Sequence, residues 1–420
     1  MTAFPPRRLI TSGRPYPGAG RVLTNANVWS PCGEWLVYDT RSDPAGDTFD
    51  GTRIDRVHVR TGAVETLYTS QNQANCGVAT YPPRAGYVLF ILGPEHPDAA
   101  WTYGPARRRG VYSFHGGAAN LDGRNLTPPF TPGALRGGSH VHVVHPRGRL
   151  VSFTYDDHIL TELPPGTPDA DVNQRNVAVA EFGNMVGVPR THPRNHSGGA
   201  FSVVVTRTVN APTPGSDEIS RAYEEAWVGA SRTLAFQGDL VTADGASIAE
   251  AFAVDLPDDL TAAGDGPLEG TATRRPAPPR GTMQRRLTDT TGHRYPGLSG
   301  PRHWLRSDPA GRRVGCLMRD ADGVVQFCTV SPHGGDVRKV TSNPFPVASS
   351  FTWHPDGERV AFVMDGSVCL TDATTGVTTR LTPPEAGLRP EACVVSPTGE
   401  WVAFVQTIAG VNQLGVVGTG

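Results

Sequence analysis

Short runs in which apolar and polar residues alternate fill most of this chain, and glycine and proline punctuate them. Alternation at period two marks a strand with one buried face, and the punctuation marks turns. The fullest example, residues 136–158, reads Arg-Gly-Gly-Ser-His-Val-His-Val-Val-His-Pro-Arg-Gly-Arg-Leu-Val-Ser-Phe-Thr-Tyr-Asp-Asp-His. It predicts a strand over 139–144, a Pro-Arg-Gly turn, and a second strand over 150–155. The same unit recurs around Pro31, Pro82, Pro146, Pro309, Pro355 and Pro397. The long gap between Pro146 and Pro309 predicts one degenerate copy, placed at 200–207, with an insertion after it. Seven units result. Outer strands ending in an apolar residue and threonine, such as Arg286-Leu-Thr288 and Arg380-Leu-Thr382, bring each unit to four strands.

Four strands per unit of roughly 40–60 residues predict a seven-bladed β-propeller. The chain opens on an outer strand (8–11) and ends on a third strand (413–417), so the N-terminal strand would complete the last blade and close the ring. The whole of 1–420 then reads as a single β-propeller domain. One stretch breaks the period: Ser216 followed by Ile219, Ala222, Tyr223 and Ala226 has the cap and apolar stripe of a helix. The expectation is a helical loop insertion in blade 4, over about 208–229.

Composition narrows the partners. The formal net charge of −2 offers no field for nucleic acid or an anionic membrane surface. No run of about 18 apolar residues is present to span a bilayer, and the first residues lack the apolar run of a signal peptide. Six scattered cysteines form no metal-ribbon spacing, so a reducing cytoplasm is the expected compartment. No phosphate-binding loop, dinucleotide fingerprint or nucleophile elbow occurs, so no nucleotide cofactor is expected.

Trp29-Ser-Pro-Cys-Gly33 and Trp353-His-Pro-Asp-Gly357 resemble the Trp-Ser-Pro-Asp-Gly turn of TolB-like, WD40-type propellers. More specifically, 136–142, 152–158, 214–219, 221–229 and 301–304 resemble the YidR-type family, often labelled "biopolymer transporter Tol". The resemblance covers nearly the whole chain and implies the fold; it carries no established activity or catalytic residue.

In a propeller of this phase, the first residues of the innermost strands ring a central funnel. Counting back from the turn prolines brings Asn25, Cys76, His140, His303, Ser349 and Glu391 to one level, nearly all polar. His140, His142 and His303 are candidate ligands of a divalent metal such as Mn, Zn, Ca or Ni, and TolB-like oligogalacturonate lyases with a histidine-bound metal supply the analogy. His158 and Tyr155 are candidate proton carriers beside them. The long loops of blades 1 to 4 add candidate substrate-binding residues: Arg41, Glu95, Trp101, Tyr103, Arg109, Arg136, Arg175, Asp217 and Glu218. Guanidinium forks suit carboxylates and other oxyanions, and aromatics suit sugar rings. The reading is a lyase or hydrolase for a small anionic ligand such as a uronic-acid sugar, with metal assistance. The alternatives are a metal-free isomerase or lyase, and a non-catalytic scaffold for a protein partner.

Overall fold

A computed structural model describes the chain except residues 1–3, 16–17, 19, 25–26, 115–116 and 390–392. Two members of the expected funnel ring, Asn25 and Glu391, lie outside the described residues. Seven four-stranded antiparallel sheets form the blades of a β-propeller. In blade 3 the innermost strand Gly137–Val144 pairs with Leu150–Asp157, then come Asn176–Val186 and Gly198–Val204. Blade 7 is built from Val394–Val395, Trp401–Ile408 and Val411–Gly418, and Arg7–Leu9 completes it. Arg7 pairs with Val417 and Leu9 with Gly415, so the two ends of the chain close the ring.

Apolar side chains from neighbouring blades fill the spaces between sheets; Phe90, Phe153, Phe236, Phe327, Phe362 and Phe404 are all fully buried second- or third-strand residues. Tryptophans at the tight turns add a directional tie. Trp29, Trp227 and Trp353 donate their indole N–H to carbonyls of the preceding blade, those of Val394, Val143 and Arg306, at 2.9, 3.0 and 2.9 Å. Each tie satisfies a polar group that burial would otherwise penalise.

Blade 4 corrects two expectations. Gly198–Val204 is the outermost strand of blade 3, not the degenerate copy, and the expected helix is a strand, Ile219–Trp227, the innermost of blade 4. Register shifts occur between Ile219 and Arg221 and between Tyr223 and Ala226. Each extra residue turns the period of two into a spacing of three or four, so a twice-bulged strand mimics the stripe of a helix. Ser216, expected as the cap, donates to the Thr213 carbonyl at 2.7 Å within a turn. The turn that follows, 228–232, has no proline, and its absence hid the unit.

The same bulge recurs in three consecutive blades. Val78, Val141 and Glu224 have φ of 59°, 57° and 55°, each beside a register shift in an innermost strand. Aligning these bulges puts Gly77 level with His140, whereas counting from Pro82 had put Cys76 there.

Candidate functional site: an arginine-lined funnel

The loops that follow the second strands of blades 1 to 3 are long, and they emerge on the face where the innermost strands begin. Residues 42–52 and 93–108 are two of them, and 158–175 is the third. With the segment before the innermost strand of blade 5 they wall a cavity of about 500 Å3. Six arginines line it, Arg21, Arg41, Arg108, Arg175, Arg302 and Arg389, against two aspartates, Asp39 and Asp47. Phe49, Tyr103, Trp304 and His140 complete the parts of the wall that carry the chemistry.

The arginines are not equivalent. Arg21 is committed to the fold, donating to the carbonyls of Gly13, Ser12 and Asn412 and to Gln413. Arg41 sits 2.7 Å from the buried Asp39 and lies over the ring of Phe49 at 4.5 Å. Phe49 in turn stacks on Tyr103, with ring centroids 4.7 Å apart. Arg108 donates Nε–H to the Ser139 carbonyl at 3.1 Å and Nη1–H to the Tyr103 hydroxyl at 3.3 Å. Its Nη2 is buried without a hydrogen bond, 3.8 Å from Asp156. Arg175 approaches the same carboxylate at 3.6 Å. Arg302 lies over Trp304 at 4.8 Å and donates to Glu224 at 2.5 Å.

His140 lines the cavity with Nδ1 buried and unpartnered. Burial holds its imidazole pKa well below the usual value, and the cations of Arg108, Arg302 and Arg175 push it the same way. The imidazole is therefore neutral and surrounded by positive charge. Burial also raises the carboxyls of Asp39 and Glu224, against the pull of Arg41 and Arg302.

Of the residues singled out in the sequence, Arg41, Tyr103, His140 and Arg175 meet at this cavity. The others do not join them. The bulge at Val141 breaks the alternation between His140 and His142, so the two histidines do not share a face. His142 is fully buried between blades 2 and 3, against Phe153 and Gly110, with both ring nitrogens unpartnered. His303 has both nitrogens engaged: Nδ1 donates to the Pro301 carbonyl at 2.9 Å and Nε2 accepts from Leu317 N–H at 3.2 Å. Among the described residues no group of three or more His, Cys, Asp or Glu could hold a metal ion. The proposed triad of His140, His142 and His303 thus does not fit a metal.

Other expected residues are occupied as structure. Arg136 is fully buried; it pairs with Asp157 at 2.6 Å and donates to the carbonyls of Thr271 and Arg274. Tyr155 is buried in the same network, donating to Asp157 at 3.1 Å. His158 starts a short helix, His158–Thr161, edge-on to the buried Trp101 at 4.6 Å. Trp101 is itself covered by the guanidiniums of Arg107 and Arg194. Arg109 pairs with Glu95 at 2.6 Å, stapling the second loop. Asp217 pairs with Arg286 at 3.4 Å and Glu218 accepts from Thr213 N–H at 2.8 Å, both on an exposed turn. Arg21, Asp39, Arg302 and Trp304 were missed as site residues, although 301–304 carried part of the family resemblance. Arg108 was expected only as part of the Arg107-Arg-Arg109 run, a candidate anion clamp.

A family described as "Protein of unknown function (DUF3748)" matches residues 75–196, which include the second loop, Arg108 and His140. Solved structures with similar folds include the oligogalacturonate lyase of Vibrio parahaemolyticus, with a TM-score of 0.59 and 9% identity over 99% of this chain and 93% of that one. An oligogalacturonate lyase in complex with manganese gives 0.56 and 9% over 95% and 89%. A puromycin-hydrolyzing peptidase of Mycobacterium tuberculosis gives 0.56 and 14% over 97% of this chain and 55% of that one. At these identities the likeness is one of fold. The nearer likeness is in sequence, to the "Uncharacterized protein YidR" of Escherichia coli strain K12, 46% identical over 390 residues and 92% of each chain. That relative supports the YidR-type part of the resemblance and gives no support to the Tol label. On that identity and coverage, the chain belongs to the YidR family.

Proposed function

We propose that the funnel binds a small anionic ligand and that the chain acts on it as a lyase or hydrolase, a uronic-acid sugar being the favoured substrate class. The observation that carries this reading is the set of Arg41, Arg108, Arg175 and Arg302 around a neutral imidazole. Guanidiniums with spare donors in a cavity bind planar oxyanions in preference to neutral solutes. The shared fold with oligogalacturonate lyases lends the substrate class.

The chemistry that suits these groups is elimination. A carboxylate held by Arg108 and Arg175 has its charge offset, which makes the adjacent C–H bond more acidic. His140 takes that proton, the C–H electron pair becomes the new double bond, and the leaving oxygen departs with its bonding pair to be protonated by solvent. No step is routed through a metal, because the histidines do not form a site for one. Binding of D-glucuronate, followed by calorimetry, tests the reading. Saturable binding that Arg108→Ala and Arg175→Ala each abolish or weaken by about tenfold or more is expected, from the loss of a charged hydrogen bond. Binding indifferent to both substitutions would end it.

A further inference from the structure

A second cleft, of about 330 Å3, opens beside the funnel and is lined by Asp156, Asn173, Gln174, Arg175, Ser220 and Arg221. Arg175 belongs to both walls. The cleft has buried unused capacity: Asp156 is 6% exposed, and its Oδ2 is buried with no hydrogen bond. That oxygen stands 3.6 Å from Arg175 and 3.8 Å from Arg108, too far for a direct hydrogen bond to either. Gln174 is spent, donating to the Val209 carbonyl at 2.7 Å and accepting from Arg275. Asn173 accepts from Asp157 N–H at 2.8 Å through Oδ1, which leaves its amide N–H groups for the cleft. Arg221 makes one long bond to Asp239 at 3.4 Å, lies over the ring of Tyr223 at 5.0 Å and is about half exposed.

An acceptor oxygen, amide donors, a guanidinium and the Ser220 hydroxyl, which makes one long bond to the Asp239 carbonyl at 3.4 Å, thus stand side by side. Neighbouring hydroxyls, each both donor and acceptor, match such a mixed set. A second anion would instead meet the carboxylate of Asp156. We propose that this cleft is a subsite for an uncharged, hydroxyl-rich unit, so that the ligand is two units long, with its anionic unit in the funnel and Arg175 at the junction. The inference rests on the funnel reading above and specifies its substrate as a mixed disaccharide-sized molecule.

The test is calorimetric titration of the full chain with three probes: D-glucuronate, a disaccharide of glucuronate joined to neutral xylose, and a disaccharide of two glucuronates. The mixed disaccharide is expected to bind about tenfold or more tighter than glucuronate, equivalent to one or two added hydrogen bonds. Arg221→Ala, at an exposed position, and Asn173→Ala should each bring that ratio back toward one. A mixed disaccharide that binds no tighter than glucuronate overturns the subsite. A dianionic disaccharide that binds tightest overturns the uncharged class. Failure of all three to bind overturns the funnel reading and this inference with it.

Discussion

His140 and the arginines around it oppose each other's charge, and an anion changes the balance. In the free protein burial and the cations keep the imidazole neutral. A bound carboxylate offsets those cations, so the pKa of His140 rises in the complex. Between the free and bound values the complex holds one more proton, and affinity for glucuronate should increase as pH falls. Titrations in buffers of different ionisation heat should reveal proton uptake, and His140→Ala should abolish it. Stability has its own pH dependence. His142 and His303 are held down to about 3 and about 4 by burial. The unfolded chain therefore takes up protons first as pH falls below roughly 6.5, and stability drops from there toward pH 4. Glu225 works in the other direction. It is fully buried on the innermost strand of blade 4, accepting from Thr154 at 3.0 Å, and burial lifts it to about 8. Its contribution is complete below its unfolded value and is lost as pH rises through 8. Thermal melts from pH 6 to 9 should show this loss, and Glu225→Gln should flatten it.

At the scale of elements, bulged strands and one long loop decide what faces the funnel. The left-handed backbone at Val141 is costly for a β-branched residue, so Val141→Gly should relieve about 1 kcal/mol of strain. It should also loosen the presentation of His140 and lower ligand affinity. Because the Val141 side chain is buried in the core, the lost packing should outweigh the relieved strain and lower the melting temperature. Gly110 has the opposite problem. A Cβ there would meet His142 Nε2 and stand 2.8 Å from Asp122 Oδ1. Gly110→Ala should destabilise by about 1–3 kcal/mol through overpacking, measured by denaturant melts. The loop 256–282 of blade 4 is a strap. Arg136 of blade 3 holds its carbonyls at Thr271 and Arg274, and Arg275 bonds Gln174, Thr208 and Asn210 and faces Asp171 at 3.3 Å. These bonds fix the segment that carries Arg175. Arg275→Ala should weaken glucuronate binding without touching the cavity wall, and Arg275→Lys should restore little, because one ammonium cannot span those acceptors.

The whole molecule depends on closure. Removing residues 1–11 would expose the edge of Val411–Gly418, delete the Arg7–Glu385 pair at 2.6 Å and release Gln413 from Thr11. Such a chain should melt at lower temperature and aggregate on heating, since an open sheet edge templates further pairing. Closure also shapes the candidate site, because the funnel draws its wall from blades 1, 2, 3, 5 and 7 at once. Loss of the N-terminal strand should therefore cost ligand binding as well as stability.

The alternation of apolar residues and the proline–glycine turns determined the propeller, its seven units and the closing strand, because each blade is a local meander whose pattern repeats. The helix expected after Ser216 marks where that reading ends. A bulge inserts one residue, and on paper the strand then carries a helix-like spacing that only pairing with Thr233–Val241 resolves. The site was legible in part. Arg41, Tyr103 and Arg175 stood out because long polar loops on a propeller gather at one mouth, and His140 because it lies on an innermost strand that rings the funnel. The histidine triad failed because side-chain direction depends on the bulge at Val141, and because Pro301 and Leu317 occupy His303. Likewise Arg136 looked like a ligand clamp until Asp157 and a loop more than a hundred residues away claimed its donors. Local pattern fixes which strands form. Which polar groups remain unspent is settled by contacts between blades, and those exist only once the ring has closed.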